Sequence, residues 1–145
     1  MQIKIKRFDK TLPLPKYEKL AAGFDIYTRQ GATFLPGEIK ALPSNLAIQL
    51  PDEYVLMIFP RSSTPNRLGL VMPHSVGIID PFYKGDDNEI MLVFQNITNH
   101  KVKVKKGDKL AQGIILKYEK ARFIEVDSLP KSSRPRWTAK RLRKT

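Results

Sequence analysis

Eleven prolines are spread along the 145 residues, and their placement limits what the chain can fold into. Pro36, Pro43, Pro51, Pro60, Pro73 and Pro81 stand at or near the ends of short apolar runs. Proline lacks the amide hydrogen and fixes φ, so helix interiors and central strands both reject it. Such spacing leaves room for short strands joined by turns and excludes long helices.

The intervening segments have period-two or β-branched character. Ile3 and Ile5 alternate with lysines, and Lys101 to Val104 alternates cleanly. Phe24 to Tyr27, Leu46 to Leu50, Val55 to Phe59, Glu89 to Phe94, Leu110 to Tyr118 and Arg122 to Val126 also read as strands. Pro36-Gly37 and Lys106-Gly107-Asp108 are turn signals. Lys16 to Ala22 is expected to form one helical turn. The expected fold is all-β: a jelly roll or distorted barrel of many short strands over residues 1–130, with a basic arm at 131–145.

There is no cysteine, which excludes disulfide scaffolds, thiolate metal sites and cysteine nucleophiles. No apolar run approaches the roughly 20 residues of a membrane span. The N-terminus lacks a signal core, so a soluble, cytoplasmic protein is expected. The formal net charge is +12. Seven of those charges (Lys131, Arg134, Arg136, Lys140, Arg141, Arg143 and Lys144) fall in the last fifteen residues, which contain no acid. A basic surplus favours phosphate-bearing partners without choosing among them.

Four clusters set polar side chains beside glycine or proline. In Ala22-Gly23-Phe24-Asp25-Ile26, the acid at a strand start suits a metal or its waters, or a turn cap. In Pro60-Arg61-Ser62-Ser63-Thr64-Pro65, a planar cation beside two hydroxyls suits phosphate. In Gly77-Ile78-Ile79-Asp80-Pro81-Phe82-Tyr83-Lys84-Gly85, Asp80 reads as a buried carboxylate able to activate water, or as a solvated acid at a hairpin tip. Tyr83 suits packing on a sugar or base. In Gly107-Asp108-Lys109-Leu110-Ala111-Gln112-Gly113, the Gln112 amide must find a ligand or a backbone partner. His74, Ser75 and Asp80 contain the atoms of a hydrolase triad but lack the nucleophile-elbow glycines.

Taken in order, the clusters resemble motifs 1 to 4 of the trimeric dUTP diphosphatase family, over about residues 1–130. The resemblance implies a jelly-roll fold, a homotrimer with active sites shared between subunits, and Mg²⁺-assisted hydrolysis of dUTP to dUMP and pyrophosphate. It implies that Asp80 activates the water that attacks the α-phosphorus. It gives Tyr83 the deoxyribose, the hairpin backbone around Gly77 and Ile79 the uracil edge, and Arg61, Ser62, Ser63 and Gln112 the phosphates. Asp25 would hold the metal through water. A triphosphate with Mg²⁺ needs little beyond positioning and charge neutralisation, so a chain without a P-loop can cleave one.

Two features depart from the family pattern. Gly85-Asp86-Asp87-Asn88-Glu89-Ile90 is longer than the usual hairpin. The family's fifth motif is glycine-rich, whereas Ser132-Ser133-Arg134-Pro135-Arg136-Trp137-Thr138-Ala139-Lys140 has no glycine. There Trp137 would stand in for the stacking aromatic and Arg134 or Arg136 for the γ-phosphate ligand. The related dCTP deaminase group is an alternative, on Arg61-Ser62-Ser63, Arg67-Leu68-Gly69-Leu70 and Ile79-Asp80-Pro81. Its general acid/base glutamate would fall at Leu92-Val93, where this chain has no proton shuttle. A non-catalytic nucleotide or nucleic-acid binding module, with Trp137 stacking on a base, is the other alternative.

Overall fold

A computed structural model of the protein describes residues 1–133. The described residues form eleven strands: β1 (Lys4–Arg7), β2 (Phe24–Tyr27), β3 (Ala32–Phe34), β4 (Ile39–Pro43), β5 (Leu46–Gln49), β6 (Tyr54–Pro60), β7 (Leu70–Val71), β8 (Gly77–Ile79), β9 (Met91–Asn96), β10 (Val102–Val104) and β11 (Lys109–Lys117). All pair antiparallel, in four small sheets: β1 with β5, β3 with β10, β4-β9-β7, and the largest, β2-β11-β6-β8. The all-β jelly-roll expectation holds. Pro43 and Pro60 are the last residues of β4 and β6, where a lost ladder donor costs least.

Alternation along the strands builds the core. Leu92, Phe94 and Asn96 of β9 are buried, while Met91 is exposed and Val93 and Gln95 are half-buried. Val102 and Val104 are buried either side of exposed Lys103. Leu56 and Ile58 of β6 join Ile26, Phe34, Leu70, Ile90 and Leu110 in one apolar cluster. Each such side chain contributes about 1.5–3 kcal/mol when removed from water. The buried amide of Asn96 is satisfied by the carbonyls of Phe34, Leu35 and His100, and its oxygen accepts from Thr98. It thereby ties β9 to the ends of β3 and β10.

Two expectations fail. Lys16 to Ala22 forms no helical turn. Leu20 has φ +67, which a right-handed helix cannot hold, and Tyr17 instead bridges to Phe24. The helical turn lies at Thr64–Leu68, a single π-type turn closed by Gly69 at φ 62, whose amide donates to the Pro65 carbonyl. The proline is tolerated there because the first turn has no amide partner to lose.

Arg122 to Val126 is not a strand. Residues 119–133 are exposed and belong to no element. Phe123, Ile124 and Leu129 are 94%, 75% and 82% exposed.

Candidate active site

Three of the four clusters meet on one face of the largest sheet. The register sets Asp25 of β2 opposite Gln112 of β11, and Gln112 opposite Phe59 of β6. Residues directly opposite in an antiparallel pair share a face, as do residues two apart along a strand. Arg61 follows Phe59 by two and lies beside them.

Lys109 reaches this face through a bulge. It pairs with Tyr27, but the register shifts before Ala111, so Leu110 and Ala111 are both buried in succession. Without that extra residue Lys109 and Gln112, three apart, would point to opposite faces.

The cluster is tightly held. Asp25 accepts the Arg61 Nε on one carboxylate oxygen and the Lys109 Nζ on the other, each at 2.9 Å. The hydrogen bond that Lys109 donates to Asp25 raises the lysine above its ordinary value, against the opposing effect of burial. Lys109 also lies 5.4 Å from the centre of the Tyr27 ring. The Arg61 amide and the buried Thr64 hydroxyl both donate to the Leu110 carbonyl, at 3.1 and 2.7 Å. Gln112 donates to the Pro60 carbonyl at 3.4 Å. Ser62 is exposed and Ser63 half-buried at the entrance to the π turn. The result is two cations oriented on one acid, with the Gln112 amide on the same face and Ser62 and Ser63 next to Arg61 in the chain, a combination suited to phosphate.

The third cluster lies elsewhere. Asp80 is exposed: of the two readings the sequence left open, the buried carboxylate fails and the solvated acid holds, because β8 ends at Ile79. Its orientation is nevertheless set: Oδ1 accepts the amides of Phe82 at 2.9 Å and Tyr83 at 3.3 Å. The Tyr83 hydroxyl donates to the Glu89 carbonyl at 3.0 Å, which closes the hairpin. Gly77 and Ile79 lie in β8 opposite Ile58 and Leu56. Ile78, Ile79, Phe82, Tyr83 and Met91 form a shallow apolar ledge beside Asp80.

A larger cleft of about 850 Å³ opens on the other side of Asp80, along Asp52, Glu53 and Lys117 to Lys120. Its acids Asp52, Glu53, Asp80 and Glu119 offset its lysines Lys84, Lys117 and Lys120, which leaves no positive surplus for a polyphosphate, and Tyr83 does not line it.

Strand register separates the two halves. Ile79 pairs with Leu56, so Asp80 lies level with Val55, six residues from Arg61 along β6. At about 3.3 Å per residue that is roughly 20 Å. Within one protomer, Asp80 thus stands well apart from Arg61 along the sheet.

The profile of the dUTPase family matches residues 9–140. The chain belongs to the dUTPase family. As a member it is an enzyme, a dUTP diphosphatase. It is 37% identical over 135 residues to the deoxyuridine 5'-triphosphate nucleotidohydrolase of Thermobifida fusca, covering 92% of this chain and 74% of that protein. It is 35% identical over 137 residues to the corresponding protein of Caldanaerobacter subterraneus, covering 91% and 90%. The dUTPase of Streptococcus mutans superposes with a TM-score of 0.76 at 28% identity, over 85% of this chain and all of that one. A mutant dUTPase of phage phi11 of S. aureus, in which a structural Mg(II) ion is coordinated, shares the fold, with a TM-score of 0.80 at 19% identity.

Sequence reading did not single out Lys109 or Thr64. Both are legible only once the bulge and the Leu110 carbonyl are placed. Arg134, Arg136 and Trp137 lie outside the described residues. At the deaminase position, Leu92 is core and Val93 half-buried, and neither can carry a proton. Among the described residues, no group of three or more His, Asp or Glu side chains could hold a metal ion, and no helix is long and apolar enough to cross a membrane.

Proposed function

We propose that this chain hydrolyses dUTP to dUMP and pyrophosphate at sites assembled between the subunits of a homotrimer. The observation that carries this reading is the separation of Asp80 from the Arg61, Lys109 and Gln112 cluster along β6. Positioning catalysis needs base and phosphate within a few ångströms. A second copy, offering its Asp80 hairpin to the first copy's phosphate cluster, supplies that geometry. A head-to-tail arrangement of this kind forms a ring when its rotation closes, as a threefold rotation does. The exposed apolar side chains of Phe123, Ile124, Val126 and Leu129 support assembly, since they offer apolar surface that another chain would cover.

In this reading the nucleoside lies on the ledge of Ile78, Ile79 and Met91, with Tyr83 against the deoxyribose. The backbone around Gly77 and Ile79 reads the uracil edge. The triphosphate extends to the neighbouring copy, where Arg61, Ser62, Ser63, Gln112 and Lys109 neutralise and orient it. Asp80 takes a proton from water as the water oxygen bonds to the α-phosphorus. The α–β bridging bond breaks, and pyrophosphate departs with its electron pair. Arg134, Arg136 and Trp137 are the residues of the C-terminal segment assigned to cover the site.

The residues present fit Mg²⁺ carried in on the substrate. Such ions keep most of their waters and need only one or two protein carboxylates. Both Asp25 oxygens already accept a cation, so direct coordination would displace Arg61 or Lys109. Their second lone pairs can still accept metal-bound water. Bound there, the ion would neutralise phosphate charge and polarise the phosphoryl oxygens.

The test is to supply dUTP, dCTP, dTTP and UTP separately with Mg²⁺ and to follow pyrophosphate and ammonia. Pyrophosphate from dUTP alone, lost in Asp80→Asn, is expected. Ammonia from dCTP would favour the deaminase reading instead.

A further inference from the structure

We propose that Glu89 and Arg29 are positioning residues for the reaction, acting by fixing the hydroxyl end of Tyr83. This rests on the assignment of Tyr83 to the deoxyribose made above.

Glu89 stands where the long hairpin returns to the body. Its carboxylate accepts the Nε of Arg29 at 2.9 Å and Nη2 at 2.7 Å, and the Asn45 amide at 2.8 Å. The pair is well shielded, with the Glu89 side chain 11% and the Arg29 side chain 29% exposed. A bidentate pair of this kind fixes direction as well as charge. Arg29 is itself placed by its amide, which donates to the Pro43 carbonyl at 2.7 Å, and by the ring of Phe8 at 5.6 Å. The next residue is equally fixed. Ile90 is buried, its amide donates to the Leu46 carbonyl at 2.8 Å, and its carbonyl accepts from the Ser44 amide at 2.9 Å.

The Glu89 carbonyl therefore has one orientation, and it is the acceptor for the Tyr83 hydroxyl. The other end of Tyr83 is tied to the proposed base, since its amide donates to the Asp80 carbonyl at 3.1 Å and to Oδ1 at 3.3 Å. The ring thus spans the hairpin between Asp80 and Glu89. The additional residues lie beyond this span. Their tip closes on itself through Asn88 Nδ2 on the Lys84 carbonyl at 2.9 Å, and Lys6 Nζ ties it to β1 through the Asp86 carbonyl at 2.8 Å. The longer hairpin therefore need not loosen the ring, provided that Glu89 is held.

A ring held at both ends sets a fixed gap for the sugar, and a fixed gap excludes a 2′-hydroxyl. Releasing Glu89 frees the hydroxyl end and weakens that exclusion. The experiment compares kcat/KM for dUTP and UTP in the full chain, in Glu89→Gln, Arg29→Met, Tyr83→Phe, Tyr83→Ala and the Tyr83→Phe/Glu89→Gln pair.

Glu89→Gln and Arg29→Met are each expected to lower the dUTP-to-UTP preference about five- to tenfold, mainly through a rise in kcat/KM for UTP, on the scale of one oriented hydrogen bond. The pair should be no worse than Tyr83→Phe alone, since both act through one contact. A lowered melting temperature with an unchanged preference would mean that the ion pair only stabilises the fold, and would overturn the inference. If Tyr83→Ala also left the preference unchanged, the assignment of Tyr83 to the sugar would fall with it. If Tyr83→Ala changed the preference and Glu89→Gln did not, this inference alone would fail. Tyr83→Phe removes only the hydroxyl contact and keeps the test open should Glu89→Gln not fold; a preference unchanged in Tyr83→Phe counts against the inference.

Discussion

The Asp25 carboxylate holds the Arg61 guanidinium Nε at 2.9 Å, across the boundary between two strands that are not neighbours in the sheet. β11 lies between β2 and β6, and its Lys109 takes the second Asp25 oxygen. One acid thus gathers cations from two different segments of the chain. Its role in the structure is to aim positive charge.

Replacing Asp25 with asparagine keeps one acceptor oxygen and removes the charge. Arg61 and Lys109 then repel each other and lose their aim. We expect kcat/KM for dUTP to fall about ten- to a hundredfold, on the scale of a charge-assisted hydrogen bond. Stability should drop by only about 1 kcal/mol, because both cations can turn to solvent. Steady-state kinetics and thermal melting on the same preparation check both figures.

Asp80→Asn tests the base. An asparagine oxygen still accepts the Phe82 and Tyr83 amides, so the hairpin should keep its shape and the melting temperature should not move. The amide cannot take a proton. Turnover is expected to fall about 10²- to 10⁴-fold with KM little changed, as measured by pyrophosphate release.

Gly113→Ala tests the packing beneath the site. A Cβ at Gly113 would come within 2.7 Å of Phe24 Cζ and 2.8 Å of Leu56 Cδ1, closer than carbon atoms tolerate. Because both neighbours are buried, neither can move away freely. We expect a loss of about 1–3 kcal/mol in thermal or urea unfolding.

Acid stability should carry a contribution from Asp9. Hydrogen bonds from Lys106 and from the Thr11 hydroxyl and amide hold its carboxyl well below the usual carboxylate range. A depressed folded value favours the native state above the ordinary carboxylate range, and the benefit is lost as pH falls through the folded value. Unfolding measured from about pH 5 down to about pH 2 should therefore show a shallower acid decline in Asp9→Asn than in the parent, the difference opening as pH falls below the ordinary Asp value of about 3.9. Glu38 has the same sign, held down first by the Leu35 amide, and Glu38→Gln should act in the same direction.

Much of the fold was legible because proline and alternation are local signals. Phe24–Tyr27 is a strand with the bounds expected of it, and Val102 and Val104 bury as their spacing with lysine requires. Leu20 and Arg122 to Val126 were misread because the deciding factor is not local. Leu20 adopts positive φ without being glycine, and the 122–126 run lacks a partner strand that no single sequence can display. At the site, Asp25, Arg61 and Gln112 could be named from their motifs. Lys109 could not, since its face depends on a one-residue bulge beside Ala111. Glu89 escaped notice because it acts through its carbonyl as well as its carboxylate, and backbone roles leave no signature in residue type.

The central claim is that Asp80 and Arg61 serve one site from different copies of the chain. It is tested most directly by co-expressing two inactive variants, Asp80→Asn and Arg61→Ala, with separable tags, and assaying the purified mixed oligomer for dUTP hydrolysis. Each variant supplies what the other lacks; in a ring of three that holds both variants, one of the three interfaces pairs both intact residues, so activity should return to about one third of the parent. A mixed oligomer confirmed by both tags yet as inactive as either variant alone would contradict the shared site.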